Sequence, residues 1–216
     1  MTKPPERPGT SSGLVIPAEI RAYWEVLRGS ADFPQRDRVD PRGIAGALDQ
    51  SFLIERVAPG IARFRLAGMR LAAVMGMDLR GMPMSALISA PDRDRFGRAL
   101  EAVFAQPSIL DARLEAERGY GRPALTARMM ILPLGDLDGK PTLALGCVAL
   151  DSPDIGRSPR RFAISGLMRE TIARPHPESE TELAAPQMAL AEDQPPFAPA
   201  PKRAHLRLVH DADRIG

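Results

Sequence analysis

FLIERVAPGIARFRLAGMRLAAVMGMDLRGMPMSALIS, residues 52–89, decides how the rest of the chain is read. Phe52 to Val57 and Ile61 to Leu66 are rich in β-branched and aromatic residues, which fit a pleated surface. Pro59-Gly60 between them supplies a fixed φ and then a residue free to take positive φ, as a tight turn requires. Along the second segment Ala62, Phe64 and Leu66 alternate with Arg63 and Arg65, so one face is apolar and the other charged. That period of two predicts a half-buried antiparallel strand. After Gly68 the period changes, and Met69, Leu71, Ala72 and Met75 fall at helical spacing up to Gly76. Gly81 and Pro83 interrupt the run to Ser89, which predicts short helical turns in place of one long helix.

Upstream, residues 1–16 are polar and proline-rich and are expected to be disordered. Pro17 is expected to open a helix in its first turn, where proline is best tolerated. Ile20, Tyr23, Trp24 and Leu27 recur at i, i+3, i+4 and i+7, one apolar stripe, while Arg21, Glu25 and Arg28 face away. Gly29 ends this helix. The stripe carries the only tryptophan, which either packs on the sheet or anchors a dimer, since aromatic residues are enriched at interfaces. Residues 30–51 read as a loop with a helical turn after Asp40-Pro41.

Downstream, Ser89 to Asp92 reads as a capped helix start, with the serine oxygen accepting a backbone N–H. Phe96, Leu100, Val103 and Phe104 share one face of a helix that runs to about Ala105. In Leu110 to Glu117 four apolar residues alternate with Asp111, Arg113, Glu115 and Glu117. Leu125 to Leu132 is a second strand. Asp138-Gly139 is a hairpin turn, and Leu143 to Leu150, apolar on both faces, belongs at the centre of a sheet. Two strands, helices and three strands make an α+β arrangement with the helices gathered on one face.

Past Ser152 a 152–174 extension follows, in which Arg160 to Glu170 reads as a strand or a short helix. Seven of the 22 prolines lie between Pro175 and Pro201, together with five acidic residues, so 175–204 reads as a linker unable to bury enough to fold. Residues 205–216 hold a small apolar motif, Leu206, Leu208 and Val209, of the kind that adds to a sheet edge. The domain proper is expected over 17–151.

Composition narrows the function classes. The chain has 216 residues and 44% hydrophobic composition, enough for one core. No apolar run approaches the ~20 residues of a membrane helix and the amino terminus does not resemble a secretory signal, so a cytoplasmic location is expected. One cysteine, Cys147, excludes an internal disulfide. All three histidines, His176, His205 and His210, lie beyond the expected domain, which removes the commonest general base and metal ligand from its interior. Net charge is +2, but arginine outnumbers lysine 26 to 3. Arginine forks onto phosphates and carboxylates, yet the nearest approach to a nucleic-acid patch is only Arg157, Arg160 and Arg161.

YWEVLRG at 23–29, VDP at 39–41, FLIE at 52–55, FRLAGMRL at 64–71, MGMDLRG at 75–81 and LALGCVAL at 143–150 together resemble a single-domain PAS family of alphaproteobacterial proteins, over about residues 18–150. The resemblance implies a five-stranded antiparallel PAS-like sheet in the order 2-1-5-4-3, with short helices on one face and a cavity between them, in a sensor or adaptor. It names no catalytic residues.

Such domains can hold flavin, haem or metabolites. Cys147 lies on an apolar strand, unlike the reactive cysteine of the flavin type, and reads as a small core residue. Without a histidine in the domain haem has no ordinary axial ligand. No cofactor is therefore assigned, and an unknown small ligand is left open. Met69, Met75, Met77, Met82 and Met84 fall on the segment expected to roof the cavity. They read either as an adaptable apolar pocket or as methionine-filled core. The pocket candidates are Phe64, Met69, Arg70, Met75, Met77, Met84, Leu87, Met129 and Leu145. Arg70 and Arg80 near helix starts either meet an anion or are solvated.

These features lead to a non-enzymatic cytoplasmic sensor or adaptor of bacterial signalling. It binds a small ligand or another signalling protein, with a possible homodimer and no membrane partner. Ile20, Tyr23, Trp24, Leu27, Leu206, Leu208 and Val209 are the candidate partner or dimer contacts. No kinase, cyclase or DNA-binding module follows, so the output is expected from a partner. The alternatives are an arginine-rich nucleic-acid-associated regulator and a small enzyme using loop carboxylates among Asp78, Asp92, Asp94, Glu115 and Glu117.

Overall fold

A computed structural model describes residues 12–172. The 175–204 linker and the 205–216 motif, with Leu206, Leu208, Val209 and the three histidines, lie outside those residues. Six strands form one antiparallel sheet: β1 (Ser51–Ala58), β2 (Ile61–Ala67), β3 (Ser108–Ala116), β4 (Thr126–Leu134), β5 (Leu143–Leu150) and β6 (Phe162–Thr171), in the order β2-β1-β5-β4-β3-β6. The first five follow the expected order. The sixth corrects the five-strand expectation, adding to the edge of β3 from Ala116↔Phe162 to Ser108↔Thr171. β5 is central, paired with β1 and β4 and buried on both faces.

Helix α1 (Ser12–Arg28) lies against the outer face of the sheet, packed on β5 and β4. Its start corrects two expectations, because Ser12–Ile16 are helical and Pro17 lies inside the helix. So near the amino terminus, proline removes a single i→i−4 bond, and the buried stripe behind it supplies the stability. Gly29, at φ +55, ends α1 as expected. Helices α2 (Met69–Met75) and α3 (Arg93–Ala105) cover the opposite face with 3-10 turns at Met84–Leu87 and Ala90–Asp92. Ser89 does not cap as expected. Its hydroxyl donates to Asp92 Oδ2 (3.3 Å), which also accepts the Ile164 N–H (3.0 Å).

Local chemistry fixes the turns. Gly60, at φ +71, turns the β1–β2 hairpin, and its N–H donates to Glu101 Oε2 of α3 (2.8 Å). The same carboxylate receives Arg56 Nε and Nη2, so the hairpin is pinned to the helix at two points. In the β4–β5 turn the Asp136 carboxylate accepts the N–H groups of Asp138 and Lys140 and the Thr142 hydroxyl. These contacts favour the charged form and hold its carboxyl below the ordinary range.

Both sheet edges are partly covered, which removes templates for strand addition. At the β2 edge the Phe64 N–H donates to Met82 O (3.0 Å) and the Gly81 N–H to Phe64 O (2.8 Å). At the β6 edge the Ser89 N–H donates to Phe162 O (2.8 Å), and Arg95 reaches Ile164 O (3.3 Å). On the outer face Arg21 of α1 forks onto Glu170 of β6, so the added strand is held from that side too.

Candidate functional site

The two faces of the sheet differ in how they are filled. On the helical face Phe64, Leu71, Met84, Leu87, Phe96 and Met129 are fully or almost fully buried in one cluster with Ile54, Val74, Leu79 and Ile131. Nearly all of these carry no surface that a water-sized sphere can touch, so no hollow fit for a ligand lies against them. Phe52 and Phe64 meet edge to face in this layer, their ring centres 5.7 Å apart, an arrangement that aromatic quadrupoles favour.

This packing revises the expected methionine-lined hollow. Met75, Met84, Leu87, Met129 and Phe64 converge beneath the helices, but as filled core. Met69 and Met77 are 82% and 51% exposed, Met69 as the first residue of α2 and Met77 just past its C-cap Gly76. Arg70 also points away, donating to Ser152 O (2.7 Å). Leu145 belongs to the opposite face.

On the outer face α1 lays Ile16, Ile20 and Trp24 on Met130, Leu132, Leu145 and Cys147. The Trp24 indole N–H donates to Pro133 O (2.8 Å). This satisfies the one polar edge that a buried indole carries. Ile20 and Trp24 are thus fully buried against their own sheet and present nothing to a second molecule, which corrects their candidacy as dimer contacts. Tyr23 is half-buried at the margin of the same cluster, its hydroxyl bonded to the backbone of Asp40, and Leu27 is half-buried one turn on.

Helix α1 covers only the β4–β5 half of this face. Over β1 and β2, Leu53, Leu66, Val57 and Leu143 stand around Glu55, Arg63 and Arg65, with Arg80 at the rim. Leu66 is 49% exposed and Val57 nearly as much. Glu55 pairs with Arg65 (2.6 Å), whereas Arg63 and Arg80 make no side-chain ion pair with a described residue. Beside this area, beneath the 3-10 segment Pro41–Gln50, lies an apolar pocket of about 200 Å3. Val39, Ile44, Leu48, Leu53, Leu66 and Leu145 line it, and Arg36 is its one charged residue. Gly68 closes the floor at a close approach, since a Cβ there would sit 2.3 Å from the carbonyl oxygens of Leu48 and Asp49.

Of the expected pocket residues only Leu145 lines this site. The rest of the lining comes from segments whose sequence gives no common period, and the half-buried Leu53, which faces the outer side on β1, is the one legible clue.

The remaining candidates are placed as follows. Cys147 is buried on β5, and desolvation pushes its thiol up to about 12, far from the thiolate needed for covalent chemistry. Arg160 is fully buried; its guanidinium donates to the carbonyl oxygens of Ile155, Glu117 and Pro123 (the last at 2.7 Å), and this removes it from any cluster with Arg157 and Arg161. Asp78 accepts the Arg80 N–H and Asp92 the Ile164 N–H, so both act as turn anchors. Glu115 and Glu117 lie on exposed positions of and after β3. Among the described residues no group of His, Cys, Asp or Glu is placed to hold a metal ion.

A family model described as PAS domain matches residues 16–149. The chain belongs to the PAS domain family, whose members are as a class non-enzymatic sensory or signalling modules. No curated protein matches the chain. The match ends before β6 and the loop that precedes it, so the sixth strand lies beyond the shared domain. Among the described residues no helix is long and apolar enough to cross a membrane.

Proposed function

We propose that the protein is a cytoplasmic PAS adaptor of bacterial signalling that works by docking another signalling protein on the outer face of β1 and β2. The reading rests on one observation: α1 buries the β4–β5 half of that face and leaves Val57 and Leu66 exposed beside the half-buried Leu53. Clustered apolar surface rimmed by charge marks an interaction site more often than a solvated face does. Arg63 and Arg80, unpaired among the described residues, favour a partner whose apolar side chains are flanked by carboxylates. A second copy of this chain would bring the same arginines to a self-complementary contact, so a different protein fits better than a homodimer.

Photo-crosslinking in the native host tests this, with benzoylphenylalanine placed at Leu66 or, as control, at Val26 on the solvent side of α1. The expected result is an adduct of defined mass from position 66, lost when Leu53→Glu is added, and none from position 26. Absence of any adduct at 66, or one that survives Leu53→Glu, contradicts the reading. An adduct of twice the chain mass makes the partner a second copy and overturns the choice of a different protein.

A further inference from the structure

We infer that the pocket beneath Pro41–Gln50 binds a small amphipathic carboxylate, its apolar body inside and its anionic end on Arg36. The pocket opens on the outer side of the sheet, although Phe52 and Ala67 of the helical-face cluster also line it, and the inference does not depend on the β1–β2 face docking a partner.

Four observations carry it. The walls are apolar, and Leu48 and Leu66 at the mouth are 41% and 49% exposed. An apolar occupant would remove both from water, which favours binding. The polar groups at the floor are already satisfied: the Ser51 hydroxyl donates to Ala47 O (2.7 Å), and Ser51 O accepts the Gly68 N–H (2.9 Å). Nothing inside therefore seeks a hydrogen-bonding ligand, and the buried part of the occupant must be hydrocarbon. The only charge in the lining is Arg36, which forms no ion pair with a described residue. Its neighbour Asp136 is committed to Asp138, Lys140 and Thr142, so the guanidinium remains free to fork onto a carboxylate. Finally, the Arg36 N–H is bound to Gly135 O (2.9 Å), which fixes the base of that side chain before any ligand arrives.

Size sets the class further. An apolar cavity of about 150 Å3 takes benzene. The pocket here, at about 200 Å3, suits roughly eight carbons by the same ratio. Leu53 and Leu66 belong both to the pocket and to the docking face, so an occupant would change the shape of that face.

Calorimetric titration of the full chain with hexanoate, octanoate, decanoate and 1-octanol tests the inference, with melting curves confirming that each variant is folded. Octanoate is expected to bind one to one. Affinity should rise about fourfold per added methylene and level off near eight carbons. Arg36→Ala should weaken octanoate about tenfold and leave octanol unchanged, and Leu66→Trp, which narrows the mouth, should weaken both. No saturable binding at millimolar octanoate overturns the pocket. Octanoate binding that ignores Arg36→Ala overturns the anionic end, and binding that ignores Leu66→Trp places the ligand elsewhere.

Discussion

The helical face of the sheet and its outer face are built from the same alternating strands, yet they end in opposite states. Under α2 and α3 the side chains leave no accessible surface at Phe64, Met84, Leu87 or Met129. On the outer face α1 and the 3-10 segment Pro41–Gln50 serve six strands and cover only part of them, leaving a pocket and an exposed apolar area over β1 and β2. A sheet face is closed only as far as its covering elements reach. In this PAS domain the unfilled space therefore lies where α1 stops, not beneath α2 and α3.

The contrast can be broken at its strongest point first. Trp24→Ala removes the indole that closes the β4–β5 half and leaves Pro133 O without its donor. A loss of about 3–5 kcal/mol is expected in chemical denaturation. Light scattering should show the same mass as the wild type, because the indole contacts its own sheet. A drop in mass with little loss of stability would return Trp24 to an intermolecular role. Next, Leu87→Ala on the packed face should cost about 2–5 kcal/mol, whereas Leu66→Ala on the open face should cost well under half as much. Equal costs would mean that the faces are equally filled.

The smallest effect concerns the pin between the β1–β2 hairpin and α3. Hydrogen bonds from Arg56, reinforced by the Gly60 N–H, hold the Glu101 carboxyl below the ordinary carboxylate range. A depressed native pKa means that the unfolded chain binds the proton more readily. The stabilisation is thus complete above the unfolded value near about 4.3 and disappears as pH falls through the lower native one. Glu101→Gln should cost about 1 kcal/mol at pH 7, and its stability curve should meet that of the wild type in acid. A constant difference down to the lowest pH would show that the cost is steric and not ionic.

Much of the sheet was legible because burial on one face imposes alternation. Ala62 and Phe64 against Arg63 and Arg65, and Leu110, Ala112 and Leu114 against Arg113 and Glu115, place β2 and β3, but Leu66, expected to share the Phe64 face, turns outward because the register shifts between Leu53 and Ile54. Leu143–Leu150 reads as central because both its faces are apolar. β6 was ambiguous because only Phe162 and Ile164, at its start, are buried, while Gly166 and Leu167 are half-buried and Met168 to Thr171 are exposed. The methionines misled for a physical reason: a flexible side chain fills irregular gaps as readily as it lines a cavity, and composition does not distinguish the two. Met69 fits the helical period yet is the first residue of α2, and Met77 lies past its C-cap Gly76, so neither position implies burial. The outer pocket was invisible for a different reason. Its walls come from the 39–48 segment, β1, β2 and β5, and no single stretch carries its pattern.

Pressurising crystals of the protein with xenon, which enters dry apolar cavities, tests the contrast between the faces most directly. The account predicts a xenon site bounded by Ile44, Leu53, Leu66 and Leu145, and none among Phe64, Met84, Leu87 and Met129. Xenon between the sheet and the short helices, with the outer pocket empty, would contradict it.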